Sequence, residues 1–160
     1  GPVAGCVRNL SFQASPLPRD DMTAPPSTSR GRLRFEGATG TPTQDGHETI
    51  EVHLEWDGTQ YTGESHGVQT REGDIRTASL ATLHATREVL GKDAPTFELI
   101  GVKAVRAFDA FVVIVSVDIQ MEDDRRRVIG AQACTDDDLV RSSAIATLDA
   151  LNRVLESYLT

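Results

Sequence analysis

The residues in this chain with chemistry to offer are four histidines, two cysteines, an aspartate run and an arginine triplet. A zinc site needs several His or Cys ligands at short spacing. His47, His53, His66 and His84 are scattered, and none has a second His or Cys at such a spacing. They read as solvent-facing or packing residues. His66 differs in its place, beside Gly67 and just ahead of a helix start, where a ligand could reach it; the plainer reading is a loop histidine. Cys6 and Cys134 make neither a disulfide framework nor a metal site, and Cys134 has no obvious partner for nucleophilic work. The run Asp136, Asp137, Asp138 admits a metal-site reading. At a helix N-terminus, however, aspartates cap free amides and oppose the helix dipole, which is the better account. Asp123 and Asp124 make a polar turn, and Arg125, Arg126 and Arg127 open a return strand with charges paired across a hairpin. No catalytic residue, metal or cofactor is expected from these patterns.

The elements that would position these groups come from a repeat. Laying residues 141–155 over residues 76–90 matches Arg141 to Arg76. Ala146, Thr147, Leu148, Ala150, Val154 and Leu155 then meet identical residues at Ala81, Thr82, Leu83, Ala85, Val89 and Leu90. So many matches without a gap mark a duplicated unit. In the first unit, Leu33 and Phe35 alternate with charges over residues 32–36, and a Gly, Thr and Pro loop follows over 37–46. Residues 49–56 place Ile50, Val52, Leu54 and Trp56 on one face. Asp57-Gly58 is a two-residue hairpin signal that returns the chain through residues 59–65. A helical period begins at Asp74.

The second unit runs through strands at 96–106, 111–121 and 125–134 to a closing helix within 135–158. Residues 111–115 are apolar on both faces, as in a central strand covered on both sides. The fold class is therefore α+β: two βββα pseudo-repeats with internal twofold symmetry, over residues 31–91 and 96–160, with helices on one side of antiparallel sheet. Ala78, Ala81 and Ala85 in the first helix match Ser143, Ala146 and Ala150 in the second. These small-residue stripes allow a close approach, either helix on sheet or helix on helix between halves or subunits.

Composition bounds the function. With 160 residues and 39% apolar content the chain can bury a sizeable core. A net charge of -8 argues against an electrostatic grip on nucleic acid or anionic lipid. No apolar window suits a membrane span and no signal-peptide core stands at the start, so a soluble, cytoplasmic protein is expected. Residues 1–30, with Pro16, Pro18, Pro25 and Pro26 among Ser, Thr, Asp and Arg, read as a disordered tail. Gly1-Pro2 matches a tag scar, and Met22 opens a run with the look of a natural start, so residues 1–21 are either an upstream extension or part of the protein.

Residues 130–152 resemble the closing segment of the C-terminal regulatory domain of 2-isopropylmalate synthase. Thr135 and Asp136 stand at its helix start, Ser143, Ala144 and Ala146 in its Ser-Ala-x-Ala run, and Asp149, Ala150, Leu151 and Asn152 at its finish. The motif is specific over about the last thirty residues, and the layout of paired βββα units covers residues 31–160. The resemblance implies a closely associated or intertwined homodimer whose units create a pocket for the feedback inhibitor leucine. The sequence departs from that family in three ways: the catalytic barrel and the His-x-His metal pair are missing, the turn at residues 63–68 has no proline, and residues 69–73 form an insert.

Resemblance and charge placement together direct a ligand to the two helix starts, where free amides favour a carboxylate. The first start offers His66, Gly67, Arg71, Gly73 and Asp74, with Arg71 as carboxylate partner. The second offers Thr135, Asp136 and Asp138, and its three aspartates, Asp136, Asp137 and Asp138, repel a carboxylate and suit an ammonium group. A zwitterionic amino acid satisfies both if the loops meet across a symmetric interface. Three readings follow: a non-catalytic homodimeric module that senses an amino-acid-like metabolite or regulates a partner enzyme, a scaffold protein with no ligand, and a small enzyme using the inter-repeat cleft, with turnover dependent on His66.

Overall fold

A computed structural model describes the backbone of residues 32–134 and 137–159, and their side chains as far as Glu156. The expected tail at residues 1–30 lies outside the described residues, as do Thr135 and Asp136. The described chain forms β1 (Arg34–Pro42), β2 (His47–Trp56), β3 (Thr59–Val68), α1 (Arg71–Leu90), a 3-10 turn (Gly91–Asp93), β4 (Thr96–Ala107), β5 (Ala110–Gln120), β6 (Arg125–Cys134) and α2 (Leu139–Leu159). These are two antiparallel meanders, β1-β2-β3 and β4-β5-β6, each followed by a helix. The βββα duplication is present, and its antiparallel sheet is divided into two sheets of three strands.

Alternation buries one face of each central strand. Ile50, Val52 and Leu54 on β2, and Val113, Val115, Val117 and Ile119 on β5, are fully buried beneath the helices. The duplication extends to irregularities: β1 shifts register between Phe35 and Gly37 against β2, and β4 shifts between Leu99 and Gly101 against β5. Asp57 (φ 53°) and Gly58 (φ 83°) form the expected tight turn, and the Gly58 amide donates to the Glu55 carboxylate at 2.6 Å.

Three features differ from the sequence reading. Strand β1 continues to Pro42, through residues read as a loop, because the bulge restores pairing from Gly37 onward and an edge strand tolerates Gly and Pro. Helix α1 starts at Arg71 rather than Asp74, because Thr70 caps it: the Thr70 hydroxyl accepts the Gly73 amide at 2.9 Å. Thr70→Ala is expected to lower stability by about 1 kcal/mol, read from urea unfolding midpoints. The third difference concerns β5, whose second face is not covered by any described element: Ile114 is 39% exposed there.

The small-residue stripes serve both contacts considered for them. Ala81 and Ala85 press on Gly63 of β3, and Ala146 and Ala150 press on Gly130 of β6, so close that a Cβ on either glycine would overlap helix backbone. Within α2 the Thr147 hydroxyl donates to the Ser143 carbonyl at 2.7 Å, and between the helices it meets the Ser79 hydroxyl of α1 at 3.1 Å. Thr82 makes the matching bond to the Ala78 carbonyl at 2.7 Å. Two residues of the synthase-like segment pin the second unit: the Asp149 carboxylate accepts the Ala131 amide at 3.1 Å, and Asn152 accepts the Leu33 amide at 3.0 Å. No helix among the described residues is long and apolar enough to cross a membrane.

Candidate functional site

The start of α1 lies beside the second unit, and this is where charged and apolar groups converge. Phe111, the second residue of β5, stands in register with Arg106 on β4 and Cys134 on β6. The Arg71 guanidinium lies over its ring at 4.9 Å and that of Arg106 at 5.4 Å, distances at which the ring's negative face attracts cations. Next to this ring is a cavity of about 320 Å³ lined by Arg106, Asp109, Ala110, Phe111, Cys134 and Asp137. That volume falls at the small end of ligand pockets, roughly 300–1,000 Å³. Its lining holds a guanidinium and two aspartates, the charges that match a carboxylate and an ammonium, together with the apolar Phe111 and Cys134. Asp137 is held with φ 62°, a left-handed conformation that aspartate adopts more readily than most residues.

The residues selected from sequence are divided by the fold. Arg71 reaches the neighbourhood of the cavity. His66 does not: its side chain is on the outer face of the first sheet, paired with the Thr49 hydroxyl at 2.7 Å and 3.7 Å from Glu64. Gly67 lies against the Thr77 hydroxyl with no space between them, and Gly73 against the Val68 carbonyl. Two amides of that first turn are occupied, Gly73 by the Thr70 hydroxyl and Asp74 by the Thr70 carbonyl. Asp138 caps α2, its carboxylate accepting the Arg141 amide at 3.0 Å. Thr135 and Asp136 are outside the described residues. Each of the other histidines has a partner as well: His47 the Asp45 carbonyl, His53 the Thr62 hydroxyl, His84 the Glu64 carbonyl.

Asp74 has a partner the sequence reading missed. Glu48, only 6% exposed, faces inward from β2 beneath the start of α1. Hydrogen bonding to the Asp74 carboxyl, then burial, then repulsion by Asp74, push the Glu48 carboxyl up to about 7. One oxygen of each acid is buried without a partner. The second unit shows what the same place accepts without charge. Glu48 opposite Gly67 corresponds to Phe111 opposite Cys134, and Asp74, two residues before Arg76, corresponds to Leu139, two before Arg141. On the outer face of the second sheet, Arg127 binds Asp118 at 2.7 Å and Arg125 binds it at 3.2 Å. Arg127 first among these holds the Asp118 carboxyl below its usual range.

Among the described residues, no three of His, Cys, Asp or Glu come together as a metal-binding group. No protein-family model matches the chain, and no curated protein matches it. The likeness to the 2-isopropylmalate synthase regulatory domain therefore rests on the residues quoted above.

Proposed function

We propose that this chain is a non-catalytic, homodimeric regulatory module that binds a small zwitterionic metabolite of the amino-acid class, and through it regulates a partner enzyme. The observation that carries this reading is the cavity at Phe111, where Arg106 provides for a carboxylate and Asp109 and Asp137 for an ammonium, with Arg71 over the adjoining ring. The synthase-like closing segment supports the same class of ligand. The charged lining of the cavity is one arginine and two aspartates held by three separate segments, with Arg71 stacked on the Phe111 ring beside it, an arrangement suited to fixing both ends of one small molecule.

The test is a thermal-shift titration against leucine, valine, isoleucine and their 2-oxo acids. A ligand at a hundred times its dissociation constant stabilises the fold by about 2.7 kcal/mol. The amino acid is expected to shift the melt and its 2-oxo acid, which lacks the ammonium, to shift it less. Arg106→Ala is expected to abolish the shift and His66→Ala to leave it intact. Loss of the shift with His66→Ala and not with Arg106→Ala would move the site to the first sheet's outer face. No shift across the panel favours the scaffold reading, which has its own support in the uncovered apolar face of the second sheet.

A further inference from the structure

The two outer sheet faces have opposite character although they belong to duplicated units. That of β1-β2-β3 carries Thr39, Glu51, His53, Thr62, Glu64 and His66. That of β4-β5-β6 carries Val105, Ile114 and Ile129, with exposures of 42, 39 and 54%, around a shallow apolar groove of about 440 Å³. At the same end the β4–β5 turn projects Phe108, fully exposed and held at φ 58°. Bulky side chains seldom adopt that backbone conformation, which costs about 1–3 kcal/mol. The matching β1–β2 turn of the first unit has Asp45 (φ 58°) and Gly46 (φ 73°) in its place.

The strand register shows what this face fits. Reading across β4, β5 and β6, its rows are Glu98–Asp118–Arg127, Gly101–Ser116–Ile129, Lys103–Ile114–Ala131 and Val105–Val112–Ala133. In each of the last three rows one flanking strand has a long side chain where the other has glycine or alanine. In the first row the flanking residues have opposite charge. A twofold axis running along β5 exchanges β4 of one copy with β6 of the other. Ile129 then enters the gap over the partner copy's glycine at 101, Lys103 and Val105 cover the alanines, and Glu98 faces Arg127.

We propose that this face binds the same face of a second copy of the chain, sheet on sheet, in an isologous dimer. Aligned sheets pack about 10 Å apart with interdigitated side chains, and a twofold contact requires the self-complementarity that these rows have. Each Lys103 lays its aliphatic stem across the apolar rows and carries its ammonium to the rim. The axis brings both hairpin tips to one end, where the two Phe108 rings close the contact. Four rows of three strands give a footprint of roughly 350 Å² per copy, below the roughly 800 Å² of a typical stable interface. The dimer is accordingly weak, with a dissociation constant in the micromolar range. This names the surface of the dimer in the reading above and does not depend on its ligand.

Sedimentation velocity of the full chain between roughly 1 and 200 µM, a span chosen for a micromolar constant, tests it. Wild type is expected to pass from monomer to dimer. Ile129→Arg is expected to weaken association at least a hundredfold, as an apolar anchor replaced by a desolvated charge does, and to keep the wild-type circular dichroism. Thr62→Arg, on the other sheet's outer face, is expected to dimerise normally. Should Ile129→Arg lose its fold, Ile114→Lys gives the same comparison. A wild-type dimer that survives the substitution on this face overturns the surface and leaves the dimer. A wild type that stays monomeric at the highest concentration overturns both. Neither result touches the amino-acid titration.

Discussion

Replacing Gly130 by alanine is expected to cost at least 3 kcal/mol, and Gly63→Ala a similar amount. Both glycines lie where a helix crosses its own sheet, and what the new Cβ would meet is backbone: the Ala146 carbonyl and Ala150 amide over Gly130, the Ala81 carbonyl and Ala85 amide over Gly63. A side chain can rotate away from an intruding methyl, but these groups belong to helix hydrogen bonds and cannot. The helix must therefore lift, separating the fully buried Leu151 and Leu155, or Ala78 and Leu83, from the strands below. Overpacking a core costs about 1–3 kcal/mol when side chains can adjust, and more when they cannot. Against a total stability of about 5–15 kcal/mol, either substitution leaves a marginal fold and the pair together no fold. Gly37 provides the control. Nothing lies within 4 Å of a Cβ placed there, so Gly37→Ala is expected to change stability by less than about 0.5 kcal/mol. Urea unfolding of the four variants decides the matter, and parallel small losses at all three glycines would show that the helices do not rest on Gly63 and Gly130.

That result bears on what a sequence can show. The helix match from Arg76 and Arg141 onward exposed the duplication, because identical residues at identical spacing need no structure to be seen. Strand alternation placed Ile50, Val52 and Leu54 inward, and Asp57-Gly58 marked its turn. The role of Gly63 and Gly130 stayed hidden because it depends on register: each is opposite a buried valine, Val52 or Val115, directly beneath a helix. Composition misread β1, since Gly, Thr and Pro are as acceptable in an edge strand as in a loop. His66 was placed by its nearness in sequence to α1. Alternation held the contrary signal: Ser65 is buried, so its neighbour must face outward. Arg71 reaches its neighbourhood and Asp137 belongs to the aspartate run read for an ammonium, but Arg106 and Asp109 are not legible because the cavity is assembled from segments separated in sequence. The acid pair was visible only by comparing the units strand by strand, where Glu48 and Asp74 replace Phe111 and Leu139.

Those two acids carry the second large effect. Wild-type stability is expected to fall as pH rises from about 5 to 8, by as much as roughly 3 kcal/mol. Glu48 titrates in the folded chain at about 7, against an ordinary value of 4.5. Between those values the folded state holds a proton that the unfolded state has released, and each step up in pH then favours unfolding. Asp118 acts in the opposite direction and in a lower range. Its carboxyl is depressed below 3.8 by Arg127, so the stability it confers is present above that value and is lost as pH falls further. Glu48→Gln separates the two. The amide donates to Asp74 without needing a proton, so the variant is expected to be flat between pH 5 and 8 and more stable than wild type at pH 8, and to keep the wild-type loss under acid. Unfolding midpoints at unit steps of pH measure this, and parallel wild-type and variant profiles would refute a proton shared by Glu48 and Asp74. The second unit shows that this place under a helix start can be filled by Phe111 and Leu139. Keeping two acids there makes the anchoring of α1, and with it the position of Arg71 three residues before Asp74, sensitive to proton concentration near neutrality. Affinity at the Phe111 cavity is therefore expected to follow the same titration in wild type and to lose it in Glu48→Gln.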